Sequence, residues 1–390
     1  MSSSVRPLSL SPLENEDLLA QILLRLPAQP SSLPRASLVC KRWRSLVADP
    51  KFTRRFHLRH RRNPPLLGCF VPHPGLGLCF VPTMDVPNRV PAERFSSRFE
   101  KRSVFLGCRH GLVLLSNASW EQLLVWDPVT ADQHRIPVPA RFAKTYLHGA
   151  VLRAGDDVQH FQVALVVADD TDKQHRQALA CVYSSETGAW GDLVSAPLPP
   201  KAPTSNRGIV VYLHKPAVLA DNSLYWILVG DLVAILVFDL ETKKIAVIQP
   251  PVDVFTQSTH NKYTVTRAEG GGLGFLLLSE YNRVTQLWKR VTDCGGVSSW
   301  VLDKTIELDK LILALNTRKE REHMTILGFA EDNNVVFLWT FEGIYMIYLT
   351  SLQFEELPGG IHPFESVYAA GNSMTSCTQL TINYPFTLQV

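Results

Sequence analysis

The sequence predicts an α+β multidomain protein, in which a small three-helix N-terminal domain is followed by an all-β propeller of six or seven blades. Apolar residues at helical spacing occur only before Phe56. From Leu66 onward, short β-type runs alternate with Gly, Asp, Asn and Pro turns. These runs recur in units of about 40–55 residues with about four strands each, which is the pattern of a β-propeller.

The predicted boundaries divide the 390 residues into four segments. Residues 1–9 are expected to be disordered, and residues 10–56 to form the helical domain. Residues 57–65 are interpreted as a basic linker, and residues 66–390 as the propeller. The boundary after Pro65 depends on the change from helical to strand patterns at this point.

The first predicted helix carries leucines and isoleucine on one face, at positions 18, 19, 22, 23 and 26. Glu16 and Asp17 lie in its first turn, where carboxylates favour the helix dipole, and Pro27 ends it. A Pro- and Ser-rich hinge follows over residues 29–34. A second helical piece runs from Ala36 to Val47, and a third begins at Phe52. So short a segment has more apolar side chains than it can bury alone, which predicts a partner surface.

This N-terminal segment resembles an F-box, the motif that docks a substrate receptor on the Skp adaptor of a cullin–RING ubiquitin ligase. The resemblance covers residues 10–56 and involves a dozen or more positions at matching spacing. The matching residues are Leu18, Ile22, Leu23, Arg25, Leu26, Pro27, Leu33, Arg35, Val39, Cys40, Lys41, Trp43, Leu46, Asp49, Pro50 and Phe52. A free-standing small helical domain with its own core is the alternative interpretation.

The resemblance implies that the helical domain binds the adaptor through its apolar side chains. The residues expected to bind or support the adaptor are Leu18, Ile22, Leu23, Pro27, Leu38, Val39, Trp43 and Leu46. Within this set we expect Leu23, Leu38 and Trp43 to be internal to the motif. Leu18, Ile22 and Val39 are the expected direct contacts.

The β-rich part also resembles the F-box-associated and kelch-like propellers of plant F-box proteins, especially those of grasses. The unit 124–130, with Ile136-Pro137 after it, is similar to their strand–turn–strand pattern. The most apolar run, 224–240, is interrupted by Asp231, so it predicts two strands and no membrane span. The segments 66–100 and 365–390 are predicted to supply a further blade, closed by strands from both ends of the chain.

The charge distribution and the cysteines limit the possible partners, cellular compartment and metal sites. Residues 1–62 carry 12 Lys and Arg against 4 Asp and Glu, whereas the rest of the chain is acidic. This basic run is interpreted as a solvated face or a contact for an acidic partner, with nucleic-acid binding as the alternative. The seven cysteines include no CxxC pair, which favours reduced thiols in the nucleus or cytoplasm and argues against a zinc site.

No sequence motif of nucleotide binding, metal catalysis or nucleophilic catalysis is present. This absence favours a protein with no catalytic role, no cofactor and no metal. The F-box resemblance implies a receptor subunit whose partners are a Skp-type adaptor, the cullin and RING subunits, and an unidentified target protein. Two other functions stay open. One is a propeller that binds a glycan or small ligand, and the other is a propeller hydrolase.

The target is expected on one face of the propeller. In a four-stranded blade, the loop between the second and third strands shares a face with the connection to the next blade. Aromatic and basic residues predicted on this face are Trp120, Phe142, Tyr146, Arg207, Phe255, His260, Arg318 and Arg321. Both residue types are enriched at binding hot spots. Turns of the opposite face, such as 331–334, are predicted to be short and merely polar.

Overall fold

The computed structural model describes most of the chain. The described residues are 13, 15–60, 64–73, 77–95, 103–128, 130–143, 145–153, 160–169, 176–199, 208–212, 215–253, 262–279, 284–308, 324–340, 343–357 and 378–381. The segment 1–9, which was expected to be disordered, lies outside them.

Four helices form the N-terminal domain: α1 (Glu16–Leu23), α2 (Ser32–Ser37), α3 (Lys41–Ala48) and α4 (Pro50–His60). The Asn15 side-chain Oδ1 accepts hydrogen bonds from the amides of Asp17 and Leu18, at 3.0 and 3.1 Å, and so caps α1. A small shared core holds the helices together. It contains Leu19, Ala20, Leu23, Leu24, Leu33, Ala36, Phe52 and Phe56.

The prediction of three helices was wrong, because the second predicted piece is two helices. Cys40 has extended backbone angles, with φ −163° and ψ 168°, which break the helix between Ser37 and Lys41. The last helix runs to His60, so the first residues of the segment assigned to the linker are helical.

Among the residues that the structure describes, the β-rich part has five sheets of four or five strands, each an antiparallel blade. The strands of the first two blades are β3 (Val104–Arg109), β4 (Leu112–Ser116), β5 (Gln122–Trp126) and β6 (Gln133–Pro137), then β7 (Leu147–Arg153), β8 (Phe161–Asp169), β9 (Gln177–Ser184), β10 (Ala189–Trp190) and β11 (Val194–Pro197). Apolar side chains from both blades pack into one core between them.

The remaining three blades follow in chain order. Their strands are β12 (Val210–Val211), β13 (Val218–Ala220), β14 (Ser223–Val229), β15 (Val233–Asp239) and β16 (Ile245–Ile248), then β17 (Tyr263–Arg267), β18 (Leu273–Ser279), β19 (Val284–Thr292) and β20 (Ser298–Glu307), then β21 (Thr325–Ala330), β22 (Val335–Trp339), β23 (Ile344–Tyr348) and β24 (Phe354–Glu356). The predicted strands around Asp231 are thus β14 and β15, which pair in antiparallel register.

A three-stranded sheet joins the two ends of the β-rich part. It consists of β1 (Leu66–His73), β2 (Gly77–Pro82) and β25 (Thr378–Thr381), with β1 in the middle. The short helix α5 (Ala92–Phe95) packs beside β2, and the Phe80 and Phe95 rings meet edge to face at 4.9 Å. The expected pairing of strands from both chain ends is therefore present.

The inner edge of each four- or five-stranded blade is formed by its first strand, or by β12 and β13 together in the third blade, and it lies beside a neighbouring sheet. Thus β3 lies beside β7, β13 beside β17 and β17 beside β21, while β25 lies between β21 and β3. These contacts arrange the sheets around a common axis, as in a propeller. The predicted total of six or seven blades stays a prediction.

Candidate functional site

Large apolar side chains of the helical domain are exposed on α1 and at the break between α2 and α3, in addition to Leu58 on α4. Leu18 and Ile22, four residues apart on α1, are 44% and 40% exposed. Leu38 and Val39, at the break between α2 and α3, are 75% and 61% exposed. Pro27 is exposed as well. We call Leu18, Ile22, Leu38 and Val39 the apolar surface set.

The helix break explains why Leu38 and Val39 are exposed. They follow the last turn of α2, and the extended backbone of Cys40 redirects the chain before α3 begins. The Arg42 guanidinium donates to the Leu13 carbonyl at 3.1 Å, so the start of α3 lies next to the segment before α1. This bond places the two halves of the apolar surface set on neighbouring elements.

The other predicted adaptor residues lie deeper. Leu23 is 1% exposed and belongs to the domain core, whereas Trp43 and Leu46 are half-buried against that core. The expectation that Leu23 is internal is confirmed, and the expectation that Leu38 is internal was wrong. Because Leu23 is covered by its own domain, it supports the surface and does not form it.

On the predicted target face, two aromatic side chains from different loops meet. Trp120 lies between β4 and β5, and Tyr146 lies in the connection from β6 to β7. Their rings contact edge to face, with centroids 5.8 Å apart and an interplanar angle of 76°. Tyr146 is 63% exposed, and Trp120 packs partly on the core below. The contact shows that these two kinds of loop share a face.

Phe142 was predicted to face a target, and this prediction was wrong. The side chain is 1% exposed, because the turn at Pro139–Ala143 folds it into the core between the first two blades. Five further predicted residues lie outside the described part of the chain. These are Arg207, Phe255, His260, Arg318 and Arg321.

The same face carries an ion pair that the sequence reasoning missed. The Arg141 guanidinium lies 3.3 Å from the Asp169 carboxylate at the end of β8, and Arg141 is largely exposed. The sequence feature that could have indicated this ion pair is the position of Arg141 in the connection after Pro139, between β6 and β7. The Arg141–Asp169 ion pair and the rings of Trp120 and Tyr146 make this face both charged and aromatic.

A buried ion pair joins blades across the propeller axis. Arg109, at the end of β3, donates from Nε and Nη2 to both carboxylate oxygens of Glu331, which follows β21. Nη2 also donates to the Ala217 carbonyl at 2.8 Å, and the Leu219 amide donates to Glu331 at 2.8 Å. Glu331 is therefore not the merely polar turn residue that the sequence predicted, because it is 7% exposed and fully engaged.

The environment of Glu331 keeps it charged. Burial by itself would raise the pKa of its carboxyl, but the Arg109 guanidinium and the Leu219 amide outweigh burial and hold the pKa below its ordinary value. A carboxylate locked in this way is not available as a general acid or base. The arrangement therefore serves structure, by tying three blades together.

A second buried cation lies in the irregular segment between β12 and β13. Lys215 is 2% exposed, and its Nζ donates to the Ile326 carbonyl on β21 at 2.6 Å. Burial lowers the pKa of its ammonium group to about 7. The neighbouring Pro216 also approaches Gly107 on β3, so this segment reaches two other blades.

Within the described residues, hydrogen bonds connect the helical domain and the segment that follows it to the propeller. The amide and hydroxyl of Ser31 donate to the Asn88 side-chain Oδ1 at 3.2 and 2.7 Å. The Asn333 side-chain amide donates to the Pro64 carbonyl at 2.9 Å, which fixes the residues before β1 on the last blade. These contacts lie at the opposite end of the blades from Trp120, because Asn333 occupies a turn between first and second strands.

Within the described residues, no group of three or more His, Cys, Asp and Glu side chains is arranged to hold a metal ion. No described helix combines the length and apolarity needed to cross a membrane.

Comparison with known proteins gives two family matches. Residues 15–55 match the F-box domain, and residues 104–360 match the family described as "F-box protein AT5G49610-like, beta-propeller". The chain therefore belongs to the F-box proteins with a C-terminal β-propeller of the AT5G49610-like family.

Curated relatives from Arabidopsis thaliana agree with this assignment. The putative F-box protein At3g16210 is 26% identical over 54% of this chain and 53% of its own length. The F-box/LRR-repeat protein At2g43260 is 22% identical over 82% of this chain and 73% of its own length. The chain thus spans about half of the first relative. Among solved structures, the Cps50 (Swd1) β-propeller domain of Myceliophteria thermophila is 12% identical, with a TM-score of 0.39, over 76% of this chain and 88% of that chain.

Proposed function

We propose that this protein is the substrate-recognition subunit of an SCF-type cullin–RING E3 ubiquitin ligase. The F-box docks on a Skp-type adaptor, and the adaptor connects it to the cullin and RING subunits. The propeller binds the target protein. The observation that carries the proposal is the apolar surface set, which leaves four large side chains exposed on a domain that matches the F-box.

The adaptor interface is built from this set. Leu18, Ile22, Leu38 and Val39 contact the adaptor directly, and Pro27 borders them. Burying an apolar side chain of this size contributes about 1.5–3 kcal/mol, so a few of them account for stable docking. Trp43, Leu46 and Leu23 hold the helices in the conformation that presents these side chains.

The target interface lies on the face that carries Trp120 and Tyr146. An exposed tyrosine that is braced by a tryptophan loses little side-chain entropy on binding, which suits a hot spot. Arg207, Phe255, His260, Arg318 and Arg321, which lie outside the described residues, stay sequence-predicted members of this target surface. Because the F-box contacts the opposite end of the blades, a bound target and the adaptor do not compete for space.

The propeller has six blades in this proposal. The three-stranded sheet of β1, β2 and β25 is the sixth, since β25 lies between the inner strands of the first and last four-stranded blades. The F-box corresponds to residues 10–56, the connection to residues 57–65 and the propeller to residues 66–390. The receptor performs no covalent chemistry itself, and it acts in the nucleus or cytoplasm by raising the effective concentration of the target near activated ubiquitin.

The experiment is a pair of surface substitutions in the full chain. The double variant Ile22→Asp and Val39→Asp would bury two unpaired charges in the interface, which costs several kcal/mol. We expect it to lose co-purification with a Skp-type adaptor. The control is Val297→Asp, at a propeller side chain that is 65% exposed, which should retain binding. Full binding by a folded double variant would disprove the interface.

A further inference from the structure

A cleft separates the helical domain from the propeller. Its volume is about 410 Å³, which is the size that small organic ligands occupy. Ala28 and Gln29, between α1 and α2, form one side, and residues of the propeller form the other. Ligand sites occur preferentially at such domain junctions.

The propeller side combines an apolar surface with one carboxylate. Met84 and Met346 line the cleft together with Tyr348 and Glu355. The Tyr348 hydroxyl donates to Glu355 Oε2 at 3.2 Å. Burial and the Glu355 carboxylate raise the pKa of Tyr348, so the hydroxyl stays protonated and remains a donor to that carboxylate.

Charge decides the class of ligand. Glu355 is the charged side chain among the described residues that line the cleft, and those residues include no Lys, Arg or His. A carboxylate beside an aromatic ring attracts an organic cation. The partly buried Met84 side chain offers a flexible apolar surface that adapts to the body of such a ligand, whereas Met346, which is 2% exposed, lines the cleft from within the propeller core.

We propose that this cleft is a binding site for a small organic cation with an apolar body. The cationic group lies against Glu355 and Tyr348, and the apolar body lies against Met84, with the buried Met346 side chain in the wall of the cleft behind it. Because Ala28 and Gln29 belong to the helical domain, an occupied cleft also fixes that domain on the propeller. The site lies away from the propeller face that carries Trp120 and Tyr146.

The chain has five methionines, of which two line the cleft, so their methyl groups report its occupation directly. The full-length protein, labelled with ¹³C at the methionine methyls, is titrated with benzyltrimethylammonium ion. Met84→Leu and Met346→Leu assign the two resonances. The neutral probe 3,3-dimethylbutylbenzene and the anion benzenesulfonate are titrated in parallel.

We expect saturable shifts of the Met84 and Met346 resonances with the cation, and at least tenfold weaker binding of the two other probes. Glu355→Gln should weaken cation binding about tenfold, whereas Glu356→Gln, its exposed neighbour on β24, should leave it unchanged. An unperturbed methyl spectrum in the remaining methionines shows that Glu355→Gln is folded. Absence of saturable shifts, equal binding of the neutral probe, or equal effects of the two Gln variants would each overturn the proposal.

Discussion

Arg109 and Glu331 lie 222 positions apart in the chain and form a buried, bidentate ion pair across the propeller axis. One residue ends the inner strand of the first four-stranded blade, and the other follows the inner strand of the last. The pair therefore closes the ring directly, in addition to the pairing of β25 with β1.

We expect Arg109→Met to destabilise the propeller by about 3–5 kcal/mol, because it leaves the Glu331 charge buried without a partner. The double variant Arg109→Met and Glu331→Met should cost less than the two single changes together. Urea unfolding followed by tryptophan fluorescence measures both. Lys304→Met, which breaks the more exposed pair with Glu269, is the control and should cost about 0–1 kcal/mol. Equal costs for the buried and exposed pairs would contradict this account.

Lys215 predicts a pH dependence of stability. Its pKa is about 7 in the folded protein, against about 10.4 in an unfolded chain, so between these values the unfolded state binds more protons. The free energy of unfolding should then rise with pH, by up to about 1.4 kcal/mol per unit. We expect a rise between pH 7 and 8 that Lys215→Met abolishes. A slope that is the same in both proteins would contradict the assignment.

The measurement is limited to pH 7–8 because the buried Cys108 thiol changes the free energy of unfolding in the opposite direction at higher pH. Burial raises the pKa of its thiol, so the unfolded state loses that proton first and stability falls as pH rises above about 8.5. Below pH 8 this contribution is small, and the comparison with Lys215→Met separates the Lys215 effect from that of other groups such as Lys262, whose pKa burial also lowers.

Alanine substitutions of Phe142 and Tyr146 should have different effects, the first on stability and the second on target capture. Phe142→Ala removes a fully buried ring and should cost about 3–5 kcal/mol of stability. Tyr146→Ala should cost about 1 kcal/mol or less, the value of one edge-to-face ring contact, and should weaken target capture. Thermal melts and a capture assay with proteasome inhibition measure the two effects. Capture that survives Tyr146→Ala would remove this residue from the target surface.

The helical domain offers a similar comparison of core and surface. Leu38→Ser should leave stability within about 0.5 kcal/mol of the parent, because the side chain already faces solvent. Leu23→Ala should cost about 2–5 kcal/mol, since it opens a cavity in the small core. Chemical unfolding followed by the far-ultraviolet helix signal tests both. A destabilising Leu38→Ser would mean that this side chain belongs to the core.

Periodicity was enough to predict the order of the parts. The spacing of Leu19 and Leu23 predicts one face of a helix, and that face is the observed core. The Asp231 turn inside an apolar run predicts the pairing of β14 and β15. Both patterns are local, so the sequence displays them directly.

Features that depend on distant contacts were not predictable in this way. The break at Cys40 is one residue of extended backbone inside an apolar pattern that otherwise continues, and it decides whether Leu38 is core or surface. Glu331 sits in a polar turn whose partner is elsewhere in the chain, so its burial has no local signal. Phe142 was assigned to a loop correctly, but a loop position does not say whether the ring turns inward.

The central claim is that the F-box docks on a Skp-type adaptor, and a binding measurement with purified proteins tests it most directly. The full chain and the adaptor are mixed at about 1 μM each, where co-elution requires a binding free energy stronger than about −8 kcal/mol. Size-exclusion chromatography with light scattering then measures the mass of the eluted species. The account predicts a one-to-one complex that Ile22→Asp with Val39→Asp abolishes and Val297→Asp preserves. Separate elution of the two unmodified, folded proteins would contradict it.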